Sequence, residues 1–334
     1  MKKILLIGGE GYIGNVVAHK LLADGYSIIS YDNLLYNNHI CVTNKLHLKN
    51  YKFIFGDMLD KNTIKPLIQD SYAVVLLAGL VGDPITKKYP NESSIINDKA
   101  VANVIELCSS VDTNRFIFIS TCSNYGIIDD NEFADENYKL NPLSLYAKSK
   151  VNAENYILSF KGNSKMSPTI LRFATAFGLS PRMRFDLTIS EFTRDLAMNK
   201  ELLVYDANTW RPYCHVQDFS RLIKMVIQAP KEDISFQVFN AGGNINNATK
   251  QKIVNYILDK IPNGKVKYQD DGKDTRNYRV SFEKIRSILG FEPSFNIEDG
   301  INELLYAIDN NIFDKVEDNK IFHGNYEIDY LLKA

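Results

Sequence analysis

Short apolar runs alternate with amphipathic stretches through the first half of the chain. The runs at Lys3–Ile7, Ser27–Tyr31, Lys52–Phe55, Ala73–Leu77, Arg115–Ser120 and Thr169–Arg172 are short and rich in β-branched residues, which predicts strands. Between them the spacing predicts helices. One covers Tyr12–Leu22, with Ile13, Val16, Val17, Leu21 and Leu22 near helical spacing. Another covers roughly Ser94–Ser109, with Ile95, Val101, Val104, Ile105 and Leu107. Apolar strands joined by helices imply a parallel sheet covered on both faces. The second half mixes in more turns, at Ala241-Gly242-Gly243, Asn263-Gly264 and Asp271-Gly272. No Pro/Gly/Ser linker separates the halves. This predicts an α/β protein: a doubly wound parallel sheet over residues 1–173 and a smaller C-terminal α/β lobe over 174–334, some segments of which return to the first domain.

Composition narrows the function classes. The 334 residues carry 39 Lys+Arg against 40 Asp+Glu, a formal net charge of -1. That balance gives no electrostatic case for nucleic acid or an anionic membrane as partner. No apolar run approaches the ~18 residues of a membrane span. The run after Lys2-Lys3 ends at Gly8-Gly9-Glu10, short of a signal-peptide core of ~7–15 residues. A cytoplasmic protein is expected. The four cysteines (Cys41, Cys108, Cys122, Cys214) form no CxxC pair, and the five histidines form no HExxH, so no metal is expected.

The first run leads into a glycine turn. Gly8, Gly11 and Gly14 have the spacing G-x-x-G-x-x-G, after a strand and at the start of a helix. The first glycine permits a tight turn, the second lets backbone approach a pyrophosphate, and the third lets helix and strand pack closely. The helix N-terminus offers free N–H groups and a positive dipole end to phosphates. Asp32 ends the second strand, 18 residues after Gly14. A carboxylate there accepts both adenosine ribose hydroxyls and repels a 2′-phosphate, which favours NAD over NADP. Asp57, after the third strand, is a candidate for the adenine end; it reads almost as well as a helix cap. Together these predict a Rossmann-type NAD site.

Tyr146-Ala147-Lys148-Ser149-Lys150 contains Y-x-x-x-K. On a helix both residues share a face, so the Lys150 ammonium lies near the Tyr146 phenol and lowers its pKa. A phenolate that takes a proton from a sugar hydroxyl lets hydride leave the same carbon.

These motifs, with the loop Ser120-Thr121-Cys122-Ser123-Asn124-Tyr125-Gly126, resemble the extended short-chain dehydrogenases/reductases. More narrowly, they resemble the NAD-dependent nucleotide-sugar epimerases and dehydratases. The resemblance continues through Leu171-Arg172-Phe173, Trp210–Val216 and Leu289–Pro293 and covers nearly the whole chain. It implies a catalytic set of Thr121, Tyr146 and Lys150, with Lys150 also on the nicotinamide ribose. It implies NAD contacts from Gly8, Gly11, Tyr12, Ile13, Gly14, Asp32, Asn33, Asp57, Met58, Leu77, Ala78, Gly79 and Asn97, besides Tyr146 and Lys150. It also implies a homodimer or dimer of dimers, paired through helices near Ser94–Ser109 and Ser144–Phe160.

The substrate side is expected to use Val81, Ser123, Thr175, Arg182, Arg184, Arg211 and Arg276. Arg182 and Arg184 flank a turn and suit a diphosphate or acidic group. Arg211 and Arg276 match family positions that clasp the nucleotide diphosphate of a nucleoside-diphosphate sugar. His215 reads as a packed structural histidine.

The chain departs from the family at Ile7, often Thr, and at Leu76-Leu77-Ala78-Gly79, where the family has His-Leu-Ala-Ala. Sugar 4,6-dehydratases carry an acid just after the catalytic Thr, whereas Cys122 and Ser123 stand here. Dehydration therefore ranks below oxidation or epimerisation at C4. Leu80–Pro84, Ser180–Asp186 and Glu298–Leu305 look most like the branch with GDP-heptose 4-dehydrogenases of capsule-sugar pathways. The favoured expectation is a 4-dehydrogenase. A 4-epimerase, a 4-keto-sugar reductase and a non-catalytic NAD-binding scaffold are the alternatives.

Overall fold

The computed structural model describes residues 1–129, 131–270, 276–313, 320–328 and 330. The turn expected at Asp271-Gly272 lies outside the described residues. The chain builds a seven-stranded parallel sheet in the order β10-β6-β5-β4-β1-β2-β3. The strands are β1 (Lys3–Ile7), β2 (Ser27–Asp32), β3 (Tyr51–Phe55), β4 (Ala73–Leu76), β5 (Phe116–Thr121), β6 (Pro168–Phe173) and β10 (Gln237–Ala241). β1 lies between β2 and β4, with Ile4 opposite Ile28 on one side and Ala73 on the other.

The central strands are buried at nearly every position because both sheet faces are covered. Ile4 and Leu6 of β1 enter one core with Val17, Leu21 and Phe219, while Leu5 and Ile7 enter the other with Val104, Phe116 and Phe118. Each such side chain, fully buried, contributes roughly 1.5–3 kcal/mol.

Six of the seven strands fall where the apolar runs predict them. The seventh, β10, is absent from that reading. Its sequence, Gln237-Val238-Phe239-Asn240-Ala241, has few β-branched residues, and Asn240 is buried through side-chain bonds to Ala134 and Ser281 carbonyls. It pairs with β6 and so brings a segment of the second half back into the main sheet.

The single helix expected over Ser94–Ser109 is two: a π-helical stretch Ser94–Ala100, then an α-helix Val101–Ser110. The wider turn accompanies Asn97, whose amide bonds both the N–H and the C=O of Leu80 (2.8 and 2.9 Å).

The smaller lobe holds two further sheets. One joins β7 (Thr175–Phe177), β9 (Trp210–His215) and β11 (Asn247–Thr249). The other pairs β8 (Leu202–Tyr205) with β12 (Val266–Gln269). Its core gathers Phe192, Leu196, Val204, Tyr213, Ile253 and Ile301. His215 is fully buried, bonds Glu303 through Nε2 (2.8 Å) and stacks on Phe295. Among the described residues, no helix is long and apolar enough to cross a membrane.

Candidate active site

A cavity of about 600 Å3 opens at the carboxyl ends of the main-sheet strands, where open α/β sheets bind ligands. Every site residue expected from the sequence lines it except Asn97. Asn97 stands behind the wall and fixes the backbone of Leu80.

The glycine turn meets the packing demands of its spacing. Gly8 has φ +84°, and a Cβ there would fall 2.6 Å from the Ala78 nitrogen. A Cβ on Gly14 would fall 2.3 Å from the Gly8 carbonyl oxygen. At Gly11 the nearest atom would be 3.5 Å away, so the middle glycine leaves room on the cavity side. The helix Tyr12–Ala23 has no side-chain cap and no acidic residue in its first turn, which leaves its N–H donors available to an anion. The residues present therefore fit a dinucleotide pyrophosphate. Tyr12 donates its hydroxyl to the Gly178 carbonyl (2.7 Å), tying this helix to the second lobe.

Asp32 accepts the backbone N–H of Glu10 (2.9 Å) and of Leu34 (2.8 Å). Burial outweighs these bonds and pushes its carboxyl up to about 6. Asp57 accepts from Asn33 Nδ2 and the Tyr330 hydroxyl, both at 3.1 Å on Oδ2, and from the Leu59 N–H at 2.9 Å.

The residues expected to form the catalytic set converge from two elements. Ser144 caps the helix Leu145–Ser159 by accepting the Ala147 N–H, and Tyr146 and Lys150 follow one turn apart. Thr121 ends β5, where its hydroxyl accepts the Ser123 N–H (3.1 Å), and it stands near enough to Tyr146 to lower the phenol. Lys150 donates to the Ile119 carbonyl (2.7 Å), and burial lowers its ammonium to about 8. Burial pushes the Tyr146 phenol well above its ordinary value, and the cation that opposes this most is Arg184. The sequence reading gave that part to Lys150, whose Nζ lies 5.9 Å from the Tyr146 ring centre.

The arginines sort differently from the sequence expectation. Arg182 is 2% exposed, lies over the Tyr36 ring (4.2 Å) and donates to the Gly324 carbonyl (3.1 Å). Tyr36 follows Asp32 in the loop after β2, so Arg182 faces that loop. Arg184 pairs with Asp186 and reaches within 3.5 Å of the Val81 carbonyl oxygen, beside the catalytic set. Arg211 lies over the Tyr278 ring (5.0 Å) and donates to the Arg276 carbonyl. Arg276 forms an ion pair with Asp83 (2.7 Å). Ser123 is hydrogen-bonded to Tyr278 (3.1 Å), and Thr175 opens β7 on the cavity wall. Cys122 points away, with Sγ donating to the Arg172 carbonyl.

Two buried ion pairs escaped the sequence reading. Glu10, inside the glycine turn, is paired with Lys45 (2.9 Å), both fully buried. Glu154 is paired with Arg172 (2.7 Å) beneath the catalytic loop. The second left a sequence signal, since Tyr146, Lys150 and Glu154 follow at four-residue steps on one helix face. Asn325 and Tyr326, far along the chain, also line the cavity, with no motif to announce them.

Residues 4–242 match the family model described as the NAD dependent epimerase/dehydratase family. The chain is 27% identical over 308 residues to the low-salt glycan biosynthesis protein Agl12 of Haloferax volcanii, covering 89% of this chain and 96% of that one. It is 25% identical over 315 residues to a dTDP-glucose 4,6-dehydratase of Streptomyces niveus, covering 90% and 91%. Its fold is similar to that of UDP-glucuronic acid 4-epimerase from Bacillus cereus, with TM-score 0.84, 22% identity, and 92% and 99% of the two chains covered. The chain therefore belongs to the NAD-dependent epimerase/dehydratase family of extended short-chain dehydrogenases/reductases, and its cofactor is NAD.

Proposed function

We propose that this enzyme oxidises C4 of a nucleoside-diphosphate sugar, as a 4-dehydrogenase in surface-polysaccharide sugar biosynthesis in the cytoplasm. The observation that carries the reading is that Thr121, Tyr146 and Lys150 line one cavity together with Arg211 and Arg276. Tyr146 takes the proton of the C4 hydroxyl, Thr121 holds that oxygen, and the charges of Arg184 and Lys150 favour the phenolate. Bound NAD supplies the hydride acceptor. Asp32 discriminates against a 2′-phosphate. Arg211 and Arg276 hold the diphosphate.

Dehydration is disfavoured because the loop after Thr121 offers no free acid. Cys122 is buried against Arg172, Ser123 is engaged by Tyr278, and Asp83 is paired with Arg276. The glycan-biosynthesis name of one relative supports the pathway class. A second reading, a 4-epimerase that keeps its NADH, is supported by the family's own description; reduction of a 4-keto sugar made elsewhere uses the same groups. We further propose a homodimer paired through the helices Val101–Ser110 and Leu145–Ser159, which light scattering tests.

A panel of UDP-, GDP-, dTDP- and CDP-sugars, deuterated at C4, tests the proposal. A dehydrogenase leaves deuterium on NADH, and an epimerase returns it to the sugar. A 6-deoxy-4-keto product sinks both. Tyr146→Phe is expected to abolish turnover while NAD stays bound; near-native kcat would refute the role of the phenol.

A further inference from the structure

Residues 320–328 and Tyr330 run across the mouth of the cavity and touch both of its banks. On one bank the Tyr330 hydroxyl donates to Asp57, just after β3 (3.1 Å). On the other, Asn325 Nδ2 donates to the Val81 carbonyl (2.8 Å), and Lys88 Nζ donates to the Tyr326 carbonyl (3.3 Å). The second lobe anchors the segment in between: the Phe185 N–H donates to the His323 carbonyl (2.8 Å) and Arg182 Nη2 to that of Gly324 (3.1 Å). The Tyr330 ring packs on the apolar cluster that contains Met58 and Ile96. Three regions distant in sequence are thus joined over the groove that runs from the glycine turn to Asp57.

Among the described residues, buried polar atoms at this crossing lack partners, Asn325 Oδ1 and Arg182 Nε among them. Asn325 is 6% exposed and its Oδ1 accepts no hydrogen bond. Arg182 is 2% exposed and its Nε has no acceptor. Both residues line the cavity. Buried polar atoms left unpaired are costly, so an unused acceptor and an unused donor in one cavity mark the place of a ligand that supplies the complements. A dinucleotide does so, with ribose hydroxyls as donors and pyrophosphate oxygens as acceptors. The nucleotide-sugar side is less suited, because Arg182 stacks on Tyr36 and the segment ends on Asp57, both on the cofactor bank.

We propose that residues 320–328 and Tyr330 belong to the cofactor site: they bridge the groove, Arg182 and Asn325 complete its polar lining, and the Tyr330–Asp57 bond keeps NAD from leaving between turnovers. This rests on the placement of NAD along the glycine turn and Asp32.

The test reads release rather than turnover. Full-length protein is loaded with NADH and mixed with excess NAD, and the fall in NADH fluorescence gives the dissociation rate. Tyr330→Phe removes one hydrogen bond to a carboxylate and is expected to speed release about tenfold. Asn325→Ala is expected to speed it as well, and the double variant more than either. Hydrogen exchange of wild type is expected to show residues 320–328 protected on NADH binding. Affinities for UDP and GDP, measured by calorimetry, are expected to stay within twofold. Asp32→Ala separates the two layers of the argument. If Asp32→Ala weakens NADH while both tail variants release it at the wild-type rate, the tail has no part in the cofactor site. If the tail variants instead weaken UDP or GDP, the segment belongs to the substrate. If Asp32→Ala leaves NADH binding intact, the underlying placement of NAD fails.

Discussion

Two ligand-binding loops in this enzyme rest on buried ion pairs, and the pairs are built differently. Under the glycine turn, Glu10 and Lys45 are both fully buried. The carboxylate also accepts from Ser30 and Tyr51 (2.7 Å each) and Asn15 (3.3 Å), and the Asn38 amide holds the Glu10 carbonyl (2.7 Å). Under the catalytic loop, Glu154 receives the Arg172 guanidinium as a fork, with Nε and Nη2 at 2.7–3.1 Å. Ser120 and Asn124, which flank Thr121, share one of its oxygens. The first pair joins a turn to a segment 35 residues later through a compact ammonium. The second locks a strand end, a loop and a helix with a planar group of fixed direction. A loop that must offer backbone N–H groups to a phosphate needs its path held. A loop that must aim a hydroxyl at a reacting atom needs its orientation held as well.

Breaking either pair should produce the largest effect. Lys45→Met leaves the Glu10 carboxylate uncompensated, and Arg172→Met does the same to Glu154. Each is expected to cost about 3–5 kcal/mol, because a buried charge loses its partner. Urea unfolding of both variants measures this. A loss below about 1 kcal/mol in either would mean that its pair behaves as a surface bridge.

The next effect separates the roles. Arg172→Lys keeps the charge but loses the fork, and is expected to cost about 1.5–3 kcal/mol of stability, as for a hydrogen bond to a charged group. It should lower kcat with NAD affinity unchanged, since the fork orients Thr121 and not the glycine turn. Lys45→Arg, the reverse exchange, should weaken NAD and spare kcat at saturating cofactor. Calorimetry with NAD beside steady-state kinetics decides the matter. If both exchanges moved the same parameter, the division of labour drawn here would be wrong.

The same contrast explains what the sequence made legible. Six strands, the glycine turn, Asp32 and the Tyr146/Lys150 pair are local patterns, each set by a period or a short spacing. Strand β10 escaped because its run is short and includes the buried Asn240. Lys45, Asn325, Tyr326 and Tyr330 escaped because each acts across a long loop closure that no spacing records. Arg182 was legible as a candidate site residue, yet its direction was not: the Tyr36 stack and the Gly324 carbonyl turn it toward the loop after β2.

The smallest expected effect is a titration that touches only one of the two loops. Burial raises the Asp32 carboxyl to about 6, above its ordinary 3.8. It is ionised above that value and accepts hydrogen bonds on both oxygens; below it, one oxygen carries a proton. A ribose diol donates to the ionised form, so NAD should bind more tightly at pH 7 than at pH 5.5. If the ionised form alone binds, the loss is about fourfold. The folded state binds more protons than the unfolded chain between pH 3.8 and 6, so this group's contribution to stability of the cofactor-free protein falls as pH rises through that window. NAD affinity and stability of the free protein therefore move in opposite directions with pH, which no general acid denaturation would produce. Lys150, on the helix behind the catalytic loop, has its own window, since burial holds its ammonium at about 8. Calorimetry of NAD binding from pH 5 to 7, below that window, should show an inflection near 6, and Asp32→Asn should flatten it. An inflection that survives in Asp32→Asn would assign the titration to another group and leave the glycine-turn side without its pH signature.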